Sequence, residues 1–116
     1  MGAAMSWDIA IIKLKTTEEG GRKSPVHVRD HYRYVVPVMF TNVPELANEY
    51  FDCWILFDNR PIPPGGSAAN VPIAFLYDHY VRPWLVVGAQ FTMFEGRDVG
   101  HGTLVKLGTG VRPDVE

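Results

Sequence analysis

The chemistry that this sequence could perform rests first on its four histidines and its single cysteine. His27 and His31 have the i, i+4 spacing that places two metal ligands on one face of a helix. The surrounding VHVRDHY is typical of a loop or strand, however, and further zinc ligands are not evident. His101 lies between two glycines, which let the backbone approach a ligand or a packed neighbour equally well. Cys53 lies in an apolar run without a flanking His or Lys, which favours a buried structural thiol over a nucleophile.

Catalytic and phosphate-binding motifs are not found in this chain. It contains no GxxxxGK[ST] loop, no GxSxG, no HExxH and no paired CxxC. The spacing of its acids, histidines and serines does not assemble a nucleophile, a base and an orienting group. We therefore expect a protein that is not an enzyme and that needs no cofactor and no metal. A polar pocket with converging histidine or acid groups would contradict this expectation.

The stretch EEGGRKSP, residues 18–25, combines two acids, two glycines, two cations and a proline. As a plain turn, it needs its glycines only for positive φ angles. As a surface, it begins a stretch that could bind phosphates with a salt-dependent affinity. The cationic and histidine side chains of that stretch are Arg22, Lys23, His27, Arg29, His31 and Arg33. Nearby acids dilute this charge, so both interpretations stay open at this point.

Size and composition predict one globular domain. The chain has 116 residues, 47% of them hydrophobic, and a net charge of −2, so any nucleic-acid contact needs a local basic patch. We expect a core over about 7–107, with frayed ends at 1–6 and 108–116. One cysteine permits no internal disulfide, and neither a membrane span nor a signal peptide is visible. These features indicate a cytoplasmic protein.

Short apolar runs, separated by nine prolines and eleven glycines, indicate strands rather than helices. We predict six strands, at residues 7–15, 32–40, 50–58, 71–78, 84–96 and 97–107. A closed antiparallel barrel suits such a set, because closure leaves no unpaired edge. Strand 50–58 is apolar on both faces, so it is covered on both sides or its outer face meets a partner, which would allow a dimer through this strand. Trp54, Tyr80 and Trp84 are candidate exposed anchors for a protein partner.

Four segments, in conserved order, resemble the third, C-terminal domain of bacterial elongation factor Tu. EEGGRKSP followed by YR resembles that domain's EGGR-His-Thr-Pro and YR segment. EGRDVGHGTLVKL, residues 95–107, resembles its final EGGR-Thr-Val-Gly-Ala-Gly-Val-Val-Ala-Lys-Val. PPGGSAANVPI and RPWLVVGAQF resemble segments that lie between these two. The resemblance covers residues 8 to 107.

The resemblance implies an all-β, single-domain fold, a six-stranded antiparallel Greek-key barrel. In the family this domain has no catalytic role, packs on a GTPase domain and touches the T-stem of aminoacyl-tRNA. It therefore implies a binding module that contacts tRNA or another translation component. The alternative is a protein–protein interaction module that docks on or mimics elongation factor Tu.

The family's contacting positions can be carried over one by one. The residues so implied as RNA- or partner-binding are Arg22, Lys23, Arg33, Glu95, Gly96 and Arg97. Lys23 stands where the family has histidine, Val35 stands where it has glutamine, and one glycine is missing before Arg97. If the interpretation is right, the two glycine-bearing segments, 18–25 and 95–97, meet at one rim of the barrel.

Overall fold

The computed structural model describes residues 7–26, 34–56 and 62–109. Its six strands are β1 (Asp8–Leu14), β2 (Tyr34–Phe40), β3 (Phe51–Ile55), β4 (Ser67–Phe75), β5 (Gln90–Phe94) and β6 (Asp98–Lys106). One short helix, α1 (Asp78–Val81), continues into a 3-10 turn (Arg82–Trp84), and a second 3-10 turn (Pro44–Leu46) lies between β2 and β3. No helix in these ranges has the length and apolar character needed to cross a membrane.

The strands close into one barrel in the order β1-β4-β3-β2-β5-β6, and every neighbouring pair is antiparallel. β2, β3 and β4 follow one another as neighbours, and β1 lies beside β4, which is a Greek-key arrangement. The β5–β6 pair then closes the cylinder between β2 and β1. The predicted closed six-stranded antiparallel barrel is confirmed.

Alternation along each strand builds the core. In β2, Val36, Val38 and Phe40 are buried, as the period-2 pattern predicts. The ring of Phe40 lies within 6.1 Å of the ring centroids of Phe51, Phe75 and Phe91. These four rings fill the cylinder, and burying each of them contributes roughly 1.5–3 kcal/mol. Trp7, which directly precedes β1, is only half-buried.

β4 and β5 differ most from the predicted strands, and β4 ends at Phe75 rather than at residue 78, where α1 begins. β4 begins at Ser67 rather than at residue 71, because β1 supplies a ladder partner for Ser67 and Ala68. The predicted strand at 84–96 shortens to Gln90–Phe94, since the chain before it forms a 3-10 turn and a bend at Gly88. α1 was not predicted, because four residues are too few to show a helical period.

A buried ion pair fixes α1 against the start of β1. Asp8 is 1% exposed and accepts from both terminal nitrogens of Arg82, at 2.9 and 2.7 Å. The Gly108 backbone N–H donates to the same carboxylate at 2.7 Å. Arg82 also donates to Asp78, at 2.5 Å. Arg82 therefore links the β4–β5 connection to β1 through Asp8. Asp8 also links β1 to Gly108, which follows Leu107.

Candidate functional site

The two glycine-bearing segments contact each other at one end of the barrel. We call this surface the glycine rim, residues 16–26 and 95–97. Arg97 donates through Nε to the carbonyl oxygen of Gly20 at 2.7 Å, and through Nη2 to that of Gly21 at 3.2 Å. The meeting of the two segments that the sequence predicts is therefore present in the fold.

A second contact across the glycine rim joins Arg22 to Glu95. Nη1 of Arg22 lies 2.6 Å from each carboxylate oxygen of Glu95. The remaining donors of Arg22 reach the carbonyl oxygens of Ser24 at 3.0 Å and Pro25 at 3.2 Å. Glu95 also accepts from the hydroxyl of Tyr34, at the start of β2. Each of the three guanidinium nitrogens of Arg22 thus already donates to an oxygen of this chain.

Sequence reasoning did not include Tyr34 in the site. Burial raises the pKa of the Tyr34 phenol, and its hydrogen bond to Glu95 raises that pKa further. The Arg22 guanidinium lies 6.0 Å from the Tyr34 ring centroid, within the range of a cation–π contact. The sequence offered one signal, since Tyr34 begins the strand directly after Arg33.

Turn geometry accounts for the glycines of the rim. Gly20 has φ +92° and Gly96 has φ +78°, values that side-chain-bearing residues rarely adopt. Gly96 lies in the short β5–β6 connection, where the Glu95 N–H donates to the Arg97 carbonyl at 2.9 Å. A further bond stabilises the first segment, because Glu19 accepts from the Thr16 N–H at 2.8 Å. The backbone and hydroxyl of Thr16 lower the pKa of Glu19.

The charge that the glycine rim offers to a ligand is small. Lys23 is exposed and makes no hydrogen bond or ion pair with the described residues. Arg22 and Arg97 are occupied as described above. Arg33, the other predicted cation, lies outside the described residues, as do His27 and His31. Over residues 16–26 and 95–97 there are three cationic and three acidic side chains, a net charge of zero.

The opposite end of the barrel carries most of the exposed apolar surface. We call it the aromatic end, residues 76–87. Ten large hydrophobic side chains are exposed in the described chain, and six of them lie in this single stretch, so they form a cluster rather than a scatter. They are Leu76, Tyr77, Tyr80, Trp84, Val86 and Val87.

Helical geometry and two buried anchors present this cluster. Tyr77 directly precedes α1, Tyr80 lies within it and Trp84 ends the 3-10 turn that follows, so one short helical stretch and its N-cap carry all three rings. Val81 and Leu85 are buried and attach the stretch to the core. A large aromatic such as Trp84, 44% exposed, is the type of residue that anchors protein interfaces.

The neighbouring connection, residues 41–50, is attached to the aromatic end. Asn42 donates to the Gly88 carbonyl at 3.0 Å and accepts from the Gln90 N–H at 2.7 Å. The Tyr80 hydroxyl donates to Glu49 at 3.3 Å, and its ring lies 5.8 Å from that of Phe51. These contacts give the aromatic end a defined shape.

Strand β3 does not present a free edge. It pairs with β2 on one side and with β4 on the other, and Phe51, Cys53 and Ile55 point into the core. Trp54, which the sequence groups with Tyr80 and Trp84 as an exposed aromatic, is half-buried on the outer face. Any self-association through this strand must therefore use that outer face.

An open depression of about 310 Å³ lies over β5 and β6, around His101 and Thr41. No carboxylate is among its lining residues. Within residues 7–26, 34–56 and 62–109, no three His, Cys, Asp or Glu side chains converge as a metal site would require. Burial raises the pKa of the Cys53 thiol, and the charge of Asp8 adds to this effect. That environment disfavours the nucleophilic thiolate.

No protein-family model and no curated protein matches this sequence.

Proposed function

We propose that this barrel is a non-catalytic binding module and that its aromatic end binds a protein. The observation that carries the proposal is the concentration of exposed apolar side chains in residues 76–87. Contiguous apolar surface of this kind marks interaction sites in soluble proteins. The buried anchors Val81 and Leu85 hold the exposed side chains in place before a partner arrives, which reduces the entropy lost on binding.

The test compares two variants in affinity capture from a lysate of the source organism. Tyr77→Ser with Trp84→Ser removes two exposed rings of the aromatic end. Ile11→Ser removes an exposed side chain from the outer face of β1 and serves as the matched control. We expect the wild type and the control to retain the same protein at similar yield, and the double variant to lose it. Equal retention by all three proteins, or by none, would refute binding at the aromatic end.

Contact of the glycine rim with tRNA or another translation component is the second proposal. It is supported by the hydrogen bonds of Arg97 to Gly20 and Gly21, which bring together the two segments that carry the resemblance. Lys23 is the exposed cation there and would contact phosphate. The internal contacts of Arg22 and Arg97 leave fewer donors for a ligand, so we rank this proposal below the first.

Filter binding of tRNA at low and moderate salt tests the second proposal. We expect retention that falls as salt rises, because phosphate contacts release counterions. Lys23→Glu should weaken retention, whereas Lys106→Glu, at the end of β6, should not. An absence of retention at both salt concentrations would end this proposal. Light scattering on the same samples tests whether the outer face of β3 forms a dimer.

A further inference from the structure

Acidic residues occur in the chain segments next to the aromatic end. Glu45 and Glu49 are exposed in the connection that Asn42 ties to this end. Glu49 lies within hydrogen-bonding distance of the Tyr80 hydroxyl, so its charge borders the apolar cluster directly. Asp52 is half-buried, and its carbonyl accepts from the Leu76 N–H at 3.0 Å. A ligand seated beside Tyr80 would therefore meet the carboxylate of Glu49.

Positive charge does not offset these acids. Residues 41–52 and 76–89 contain four acidic side chains and one arginine, a net charge of −3 with histidine neutral. That arginine, Arg82, is bound to Asp8 and Asp78, so its guanidinium is already paired with two carboxylates. The described segments of the glycine rim, in contrast, carry no net charge. The two ends of the barrel therefore differ in charge as well as in apolar content.

We propose that the aromatic end binds a basic amphipathic segment of its partner, one whose apolar residues are flanked by Lys or Arg. This inference rests on the protein binding proposed above and adds the chemistry of the partner. The apolar residues of the segment pack on Tyr77, Tyr80 and Trp84, and its cations face Glu45 and Glu49. Complementary charge of this kind selects the partner and accelerates association more than it adds affinity.

A second copy of this chain fits the aromatic end less well. In a two-fold symmetric contact the same patch lies on both protomers, so a surface of net charge −3 would face a surface of the same charge. Like charges facing each other at an interface disfavour association. The negative charge of this end therefore favours a basic partner over a second copy of the chain.

Two synthetic amphipathic peptides of equal length, with the same leucine face and either lysines or glutamates on the polar face, test the inference. The full-length protein is labelled with nitrogen-15, and the Trp84 indole signal is assigned from its loss in Trp84→Phe. We expect the lysine peptide to shift this signal and the amides of residues 76–87 saturably, and more weakly at higher salt. The glutamate peptide should cause no saturable shift.

Charge variants make the test specific. Glu45→Gln with Glu49→Gln should weaken the lysine peptide about threefold or more, because each exposed ion pair contributes modestly. Glu18→Gln, an exposed acid on the glycine rim, should leave the affinity unchanged and is the matched control. An equal loss in that control would show that only the overall charge matters and would overturn the inference.

The remaining outcomes separate this inference from the proposed function. Equal binding of both peptides at residues 76–87, or a preference for the glutamate peptide, overturns the charge complementarity but leaves protein binding at this end intact. Without shifts from either peptide, the inference fails, and the lysate capture that depends on Tyr77 and Trp84 decides the proposed function by itself. Concentration-dependent shifts of Trp84 without peptide would make a second copy the occupant and overturn the inference.

Discussion

Replacing Arg82 by methionine is the perturbation that the structure predicts most sharply. Asp8 is 1% exposed, and two of its three described hydrogen bonds come from Arg82. Methionine removes both bonds and leaves a buried carboxylate with only the Gly108 N–H as partner. Losing one member of a buried ion pair costs about 3–5 kcal/mol. Because the Arg82 side chain is 25% exposed, we expect the lower end of that range, about 3 kcal/mol.

The magnitude is measurable by thermal and chemical unfolding. For 116 residues at roughly 2.1 cal/mol/K per residue, the unfolding entropy near Tm is about 240 cal/mol/K. A loss of about 3 kcal/mol then lowers Tm by about 12 °C. Circular dichroism melting and urea unfolding of the wild type and Arg82→Met give both quantities.

Two controls decide whether the reasoning is right. Arg97→Met also removes an arginine, but an exposed one that binds backbone carbonyls, and should cost only about 0.5–1.5 kcal/mol. Asp8→Asn combined with Arg82→Met removes the buried charge together with its partner, so the double variant should lose less than the sum of the single losses. An Arg82→Met loss no larger than that of Arg97→Met would refute the argument.

Three further predictions concern single sites. Cys53 should resist thiol reagents at pH 8 in the native protein and react once in denaturant, because burial raises the pKa of its thiol; rapid native labelling would contradict this. Gly102→Ala should cost about 1–3 kcal/mol in urea unfolding, because its Cβ would lie 2.4 Å from the Phe91 ring, and Phe91→Leu should cost less in that background than in the wild type. The pKa of Tyr34 is raised in the folded protein, so its contribution to the free energy of unfolding is fully present below pH 10.0 and is lost as the pH rises further. Tyr34→Phe should therefore lose less stability than the wild type at alkaline pH. Equal losses in the two proteins would contradict this prediction.

Much of the barrel follows from sequence pattern alone. The period-2 alternation of Val36, Val38 and Phe40 determines which face of β2 is buried, whichever strands become its neighbours. Prolines and glycines mark several of the connections, because they interrupt a ladder or supply a turn, whereas Pro37 and Pro72 lie within β2 and β4. Gly20 and Gly96 could be assigned to turns for the same local reason.

The functional surfaces depend on contacts between residues far apart in the chain. A run such as EEGGRKSP shows that Arg22 is present, but only the fold shows that Glu95, 73 residues later, occupies its guanidinium. Likewise Tyr80 and Trp84 could be recognised as candidate anchors, whereas their grouping with Tyr77 required a helix too short to leave a periodic signal. Hydrophobic alternation is a local property and is readable from one segment. Whether a side chain is available to a ligand depends on the closed barrel, because the residue that binds it can come from a distant part of the chain.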